Sequence, residues 1–319
     1  MDKKRSVGIL ATGSYTPDRV LSNFDLEKMV ETSDEWIVSR TGIRERRICS
    51  TEQASSDLAY EAAKKALAKA NISAEQLDMI IVATVTPDTM FPSTACTGFL
   101  YGITTATQFI ANGFYKHILV VGVETLSKIT NYKDRNTCVL FGDGAGAAVI
   151  GEVKEGFGFQ SFELGADGSG GPLLCLPAGG SRIPASSESV ENDLHYLAMA
   201  GGEVFKFAVR VMNSATEAVL AKAGVDRENI DLLVPHQANK RIIDSAVQRF
   251  GLSEEKVAIN LDRYGNMSSA SIPVALDEAV EAGRVKEGDN VILVGFGGGL
   301  TWGATLLKWS TTPAEGSGQ

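Results

Sequence analysis

The chain lacks several features that would assign it to a class at once. It has no apolar run of about 18 residues, so no segment reads as a membrane span. It has no basic excess. Its 30 Lys and Arg stand against 39 Asp and Glu, a net charge of −9, which leaves no broad footprint for nucleic acid. An acidic protein partner would need a local basic patch. The four cysteines, Cys49, Cys96, Cys138 and Cys175, have neither metal-ligand spacing nor the density of a disulfide framework. That points to a reduced, cytoplasmic compartment. The basic residues of Met1–Ser6 lead into a short apolar stretch and then the turn residues Thr12-Gly13-Ser14, so no signal peptide is expected.

Glycine is plentiful. The 33 glycines cluster at 142–146, 168–171 and 297–299, a pattern of tight turns and close backbone approaches. A chain of 319 residues with 44% hydrophobic content can bury a sizeable core in one large or two moderate domains. Short apolar runs at 78–84, 117–124, 231–235 and 290–295 read as strands buried on both faces. Residues 7–12 read as a first strand, and 140–150 as a glycine turn running into another. Helical patterns occupy 23–40, 54–70, 96–112, 205–223 and 240–250. The order of helix, buried strand, reactive segment and second buried strand occurs twice. This predicts two similar α/β halves, 1–167 and 168–309. The Gly-, Ser- and Pro-rich stretch 168–192 is the expected boundary or long loop. Residues 310–319 are expected to be a disordered tail.

Three distant segments carry reactive side chains where an apolar run stops or a small-residue turn begins: ACTGF with Cys96, VPHQAN with His236 and YGNMS with Asn266. A thiol can accept an acyl group, and an imidazole and a carboxamide can donate to a carbonyl gaining negative charge, so the set suits a thioester. Each residue also has a plainer reading. Cys96 precedes a helical pattern whose dipole favours the thiolate, yet a free cysteine is commonly a small buried hydrophobe. His236 stands at a strand-to-helix junction, the usual place for site residues in α/β folds, but a lone histidine is often structural. Gly265-Asn266 could simply be a turn. The glycines at 297–299 follow a strand and could offer an N–H to an oxyanion; they lack the spacing of a dinucleotide loop. Asp143 in FGDGAG reads as part of a structural turn.

Taken together with TGSY at 12–15, the run 32–46 (TSDEWIVSRTGIRER), FGDGAGAAV, VPHQAN, YGNMSSASIP and FGGGLTWG, these segments resemble β-ketoacyl-acyl-carrier-protein synthase III, of the thiolase superfamily, over nearly the whole chain. The resemblance implies an α/β thiolase-like fold of five α-β-α-β-α layers and a homodimer. It implies Cys96 as acyl acceptor, His236 and Asn266 as the decarboxylation pair, and an oxyanion hole from the Cys96 and Gly298 amides. Trp36, Arg40, Arg135 and Asn239 match coenzyme A-binding positions, where indole stacking and guanidinium–phosphate pairing would act. Gln237, Ala238, Asn239, Lys240 and Arg241 match the segment that binds acyl carrier protein, with Lys240 and Arg241 as its basic patch. Phe91 matches a residue that shapes the partner's acyl pocket. The implied reaction joins an acyl-coenzyme A, acetyl by expectation, to malonyl-acyl-carrier protein. It needs no metal or cofactor, nucleic acid or membrane.

The chain departs from the family pattern in two places. Gly202 stands where many relatives carry a polar side chain. More seriously, Phe91–Cys96 (FPSTAC) runs directly into Thr97-Gly98-Phe99, where relatives interpose a helix and a strand, about twenty residues. Loss of a central strand would leave a gap in the sheet and disturb the dimer interface. That feature favours a rival reading, an inactive carrier-protein-binding paralogue. A starter synthase of a specialised polyketide-type pathway is a further alternative. A thiolase would need a second cysteine after Cys175, and a hydroxymethylglutaryl-coenzyme A synthase a glutamate motif; neither is present.

Overall fold

Two mixed sheets share one wiring diagram. The structure, a computed structural model, describes residues 5–89 and 97–313. The first sheet holds β1 (Val7–Tyr15), β2 (Met79–Ala83), β3 (Ile118–Thr125) and β4 (Asp143–Glu152) in the order β1-β4-β3-β2. The second holds β5 (Gly158–Ala166), β6 (Leu232–Pro235), β7 (Asn290–Gly297) and β8 (Thr301–Lys308) in the order β5-β8-β7-β6. In each, the short strand at one end runs parallel to its neighbour and the other two pairings are antiparallel. The internal repeat read from the sequence is therefore a repeat of topology.

The helices complete five layers. Helix α1 (Asp34–Thr41) lies outside the sandwich, near the site. Helix α2 (Ser55–Ala70) lays Leu58, Ala62 and Ala66, one stripe at helical spacing, on the outer face of the first sheet. Helix α3 (Gly98–Ala111) and helix α6 (Ser271–Glu281) fill the middle. Their Phe99, Ile103, Ile110, Ile272 and Leu276 share one core with Val120 and Ile150 of the first sheet and Val234 and Leu293 of the second. Helices α4 (Gly201–Ala223) and α5 (Lys240–Phe250) cover the outer face of the second sheet. The strands of β3 and β7 are buried along almost their whole length because both their faces are covered. Two glycines set how closely the middle layer can approach. A Cβ at Gly122 would strike the Ser269 carbonyl, and one at Gly146 would strike Pro273.

Three expectations change. Residues 158–166 fall within the expected first half, yet as strand β5 they pair with β8 in the second sheet, so the boundary between sheets falls after Glu152 and not at 167. The polar stretch 168–192, expected to be a boundary or long loop, carries elements of its own. It forms a 3₁₀ segment (Gly168–Leu173), a short strand Leu174–Cys175 paired with Ala198–Met199, and a helix (Ser187–Glu191). Of the tail, Ser310 is buried and donates to Glu287, and Pro313 bridges to Val153; these four residues are ordered because the sheet edge offers them partners.

Among the described residues the first sheet shows no internal gap. Strand β2 pairs in continuous register with β3, and β2 is the last strand on that side among the described residues. Its Met79 and Ile81 turn inward to the central core, whereas Ile80 and Val82, on the opposite face, are 59% and 47% exposed. Helix α2 packs on β1, β4 and β3, leaving this end of the sheet uncovered.

Candidate active site

The C-terminal ends of β3, β6 and β7 open on one cavity of about 430 Å³. His236, Asn266 and Gly298 all line it, so three of the segments singled out in the sequence converge. Its size suits a small-molecule ligand. The wall is mostly apolar, with Leu126, Leu140, Leu197, Met199, Val204 and Phe205. Leu174, Cys175 and Leu176 close one side, so part of the stretch expected to be a boundary or long loop is cavity wall. The Leu197 N–H to Ile129 carbonyl and the Ala200 N–H to Leu173 carbonyl, at 2.9 and 2.8 Å, hold that wall in place.

His236 follows the last residue of β6. Its backbone N–H extends the sheet ladder by donating to the Val294 carbonyl at 2.8 Å, which fixes where the ring begins. The imidazole is 2% exposed and packs edge-on against Phe296, with ring centroids 5.3 Å apart. Burial pulls its pKa down to about 4, because an imidazolium there would lose its hydration and no carboxylate among the described residues repays it. The ring is therefore neutral at pH 7, with one nitrogen carrying the proton. Nδ1 has no hydrogen-bond partner among the described residues.

Asn266 is held by its backbone on both sides. Its N–H donates to the Leu140 carbonyl at 2.8 Å and its carbonyl accepts from Gly142 at 3.0 Å, a parallel bridge between Phe141 and Asn266. The side-chain Oδ1 accepts from the Ser268 N–H at 2.9 Å. That bond assigns the amide: Oδ1 faces the turn and Nδ2 is left as the donor on the cavity side. The GN pair is thus a turn and a cavity residue at once.

Trp36 and Arg40 lie on α1, and Arg135 begins the one-turn helix Arg135–Cys138. Both guanidinium groups stack on the indole, at 4.6 Å for Arg135 and 4.9 Å for Arg40. Asn239 caps α5 by accepting from the Arg241 N–H and also donates to the Arg40 carbonyl at 3.0 Å. As Asn239 lines the cavity, it ties the cavity rim to the Trp36 cluster.

Gln237 is the exception in its segment. It is completely buried, donates to the Pro235 and Ala258 carbonyls, and accepts from the Asn260 and Leu261 N–H groups. An amide so occupied stitches β6 to the 258–261 loop and offers nothing to a partner protein, so it leaves the expected contact set. Ala238 lines the cavity, Lys240 pairs with Asp244 at 2.6 Å, and Arg241 is exposed over the Phe205 ring. Cys96 and Phe91 lie outside the described residues, where Thr97 resumes with its hydroxyl 2.8 Å from that of Thr301. Cys138 is buried, and burial pushes its thiol up to about 11, whereas Cys175 is half-buried on the cavity wall. Asp143 is a buried turn acceptor for Cys49 and Ser127.

Sequence reasoning missed Glu124, the next-to-last residue of β3, behind the cavity and with no exposed surface. The signal was present: a carboxylate closing the otherwise apolar run HILVVGVE. The described residues contain no cluster able to hold a metal ion and no helix long and apolar enough to cross a membrane.

Comparison with known proteins agrees with this geometry. Family models for 3-oxoacyl-[acyl-carrier-protein] synthase III match residues 92–168, and for its C-terminal part residues 220–309. The chain is 58% identical to a β-ketoacyl-[acyl-carrier-protein] synthase III of Desulfitobacterium hafniense, covering 96% of this chain and 98% of that one. It is equally similar, at 58%, to one from Caldanaerobacter subterraneus, covering 97% and 100%. The Desulfitobacterium alignment runs over 325 positions, whereas 96% of this chain is about 306 residues. About 19 positions thus have no counterpart here, a shortfall of the size expected from the Phe91–Phe99 segment. Among solved structures, the synthase III of Thermus thermophilus superposes with a TM-score of 0.88 at 48% identity, covering 96% of this chain and all of that one. The priming β-ketosynthase of the R1128 polyketide pathway gives 0.87 at 32%, with 98% of each chain covered.

Proposed function

The chain belongs to the β-ketoacyl-acyl-carrier-protein synthase III family and is a condensing acyltransferase of fatty acid synthesis; from that premise we propose that Cys96, His236 and Asn266 carry its two half-reactions. The observation that supports the assignment is the convergence of His236, Asn266 and Gly298 on one apolar cavity.

In the first half-reaction the Cys96 thiolate attacks the carbonyl of an acyl-coenzyme A. The tetrahedral oxyanion accepts from the Cys96 and Gly298 N–H groups, and collapse expels coenzyme A as its thiolate, which takes a proton from solvent. Malonyl-carrier protein then enters. Its carboxylate leaves as carbon dioxide, and the bonding pair moves into the thioester as an enolate. The neutral His236 ring and the Asn266 Nδ2 donate to that developing oxygen. An imidazole with a depressed pKa suits this role, since it offers its N–H without a full charge in an apolar pocket. The enolate carbon attacks the acyl-Cys96 carbonyl, and collapse returns the thiolate. One thiol serving both halves dictates a ping-pong order.

The substrates reach the cavity past the Trp36–Arg40–Arg135 cluster. In our reading an adenine takes the place of one stacked guanidinium, and the displaced arginine pairs with phosphate. Lys240 and Arg241, at the start of α5, meet the acidic carrier protein. The starter is a short acyl-coenzyme A, acetyl in the first instance. A homodimer in the cytoplasm with no cofactor beyond its thioester substrates completes the reading.

The test is direct. Purified protein incubated with labelled acetyl-coenzyme A should gain one acetyl group, mapped to the peptide containing Cys96, and should release carbon dioxide from malonyl-carrier protein. A Cys96→Ala variant that still becomes acetylated would remove Cys96 from the nucleophile's role.

A further inference from the structure

Glu124 is a buried carboxylate that the reaction above does not use. Its oxygens take donors from two segments, and the Val85 N–H is shared between the two oxygens, at 3.2 Å from Oε1 and 3.0 Å from Oε2. Oε1 accepts from the Ser268 hydroxyl at 2.8 Å, the Ser269 hydroxyl at 2.8 Å and the Ser269 N–H at 3.4 Å. Oε2 accepts from the Val85 N–H at 3.0 Å, the Thr86 hydroxyl at 2.9 Å and the Thr84 hydroxyl at 3.2 Å. No lysine or arginine pairs with it among the described residues. Burial pushes its carboxyl up, and these donors pull it back. The two backbone N–H groups can only donate, so the site wants an acceptor at each oxygen.

The geometry places the consequence at Asn266. Ser268 stands in the left-handed region at φ 45°, a conformation a serine adopts only when its surroundings impose it. Glu124 grips Ser268 and Ser269 in that conformation. That twist turns the Ser268 N–H back onto Asn266 Oδ1, and this bond aims Nδ2 at the cavity. On its other side the same carboxylate pins Val85, also a cavity residue, just where the chain leaves β2.

We propose that Glu124 is a positioning residue for decarboxylation: it holds the Ser268–Ser269 turn so that Asn266 presents Nδ2 to the thioester oxygen. The proposal rests on the role given to Asn266 above. Glu124 itself touches no substrate. Its loss leaves Asn266 present but free to turn its amide over, so the enolate loses one oriented donor while the thiol chemistry at Cys96 proceeds.

The experiment compares the wild type with Glu124→Gln, Asn266→Ala and the double variant, reading Cys96 acetylation by intact mass and carbon dioxide release from malonyl-carrier protein. A glutamine puts an NH₂ against donors that need an acceptor. In Glu124→Gln, kcat for carbon dioxide release should fall about tenfold or more, as when an oxyanion donor is lost, with KM and the acetylation rate unchanged. In the Asn266→Ala background, Glu124→Gln should add no further loss, because the group it orients is gone. If Glu124→Gln gives no cooperative melt, Ser268→Ala replaces it and should show the same split between the two half-reactions. Equal losses in both half-reactions, no loss at all, or an undiminished loss beside Asn266→Ala would each overturn the proposal. A wild type that acetylates Cys96 but releases no carbon dioxide would sink the role of Asn266 itself, and the proposal with it.

Discussion

His236 makes a quantitative pH prediction. Its pKa falls from 6.5 to about 4 on burial. As the pH drops below 6.5 the unfolded chain takes up a proton on this ring, while the folded chain does not until about 4. Unfolded protein then binds more protons, so stability declines as the pH falls through that window and is fully retained above it. Between pH 7 and 4.5 this one ring should remove about 2 kcal/mol, from a shift of roughly two and a half units at 1.36 kcal/mol each, less the part not yet titrated at 4.5. Urea unfolding at the two pH values would measure the decline in the wild type and in His236→Gln. Carboxylate effects are common to both proteins and cancel in the comparison. The variant should lose about 2 kcal/mol less than the wild type over the interval. Matching declines would mean that the ring is hydrated or paired in solution and that the neutral-imidazole argument is wrong. The acid limb of carbon dioxide release should likewise fall near pH 4 and not near 6.5.

Three further outcomes follow from packing and charge. Gly122→Ala would drive its methyl into the Ser269 carbonyl, so it should destabilise by about 1–3 kcal/mol and depress carbon dioxide release, read by thermal melt and activity together. Arg46 is fully buried and donates to the Leu21 and Val139 carbonyls and to Asn23 Oδ1; Arg46→Met strands all three acceptors and should cost about 3 kcal/mol in urea unfolding. Ile80→Lys with Val82→Lys places charge on the uncovered end of the first sheet, and should reduce concentration-dependent association in sedimentation without lowering the melting temperature.

Much of this was legible in the chain. Buried strands announced themselves as continuous apolar runs, and α2 as a stripe at helical spacing. Strands β5 and β8 did not, because β5 mixes Gln160, Ser161 and Glu163 with its apolar residues and β8 opens on Thr301-Trp302-Gly303 beside the glycine run; neither shows a clean period. The cavity-lining residues His236 and Asn266 stood out in the sequence because each comes just after an element ends. Gln237 was misread because sequence adjacency to exposed Lys240 and Arg241 says nothing about which way a side chain turns after a strand. Glu124 was overlooked for a related reason: its meaning depends on Thr84, Val85 and Ser268, which only the fold brings within reach.

The middle layer has a consequence for anyone cutting or recombining this molecule. Helices α3 and α6 each touch both sheets, so their buried side chains answer to two partners at once. A chimera that takes its first portion from one relative and its second from another would join surfaces selected separately, and its steric errors would gather along these two helices. Successful grafts should be those that carry α3 and α6 over from a single parent, even when every catalytic side chain is identical in both.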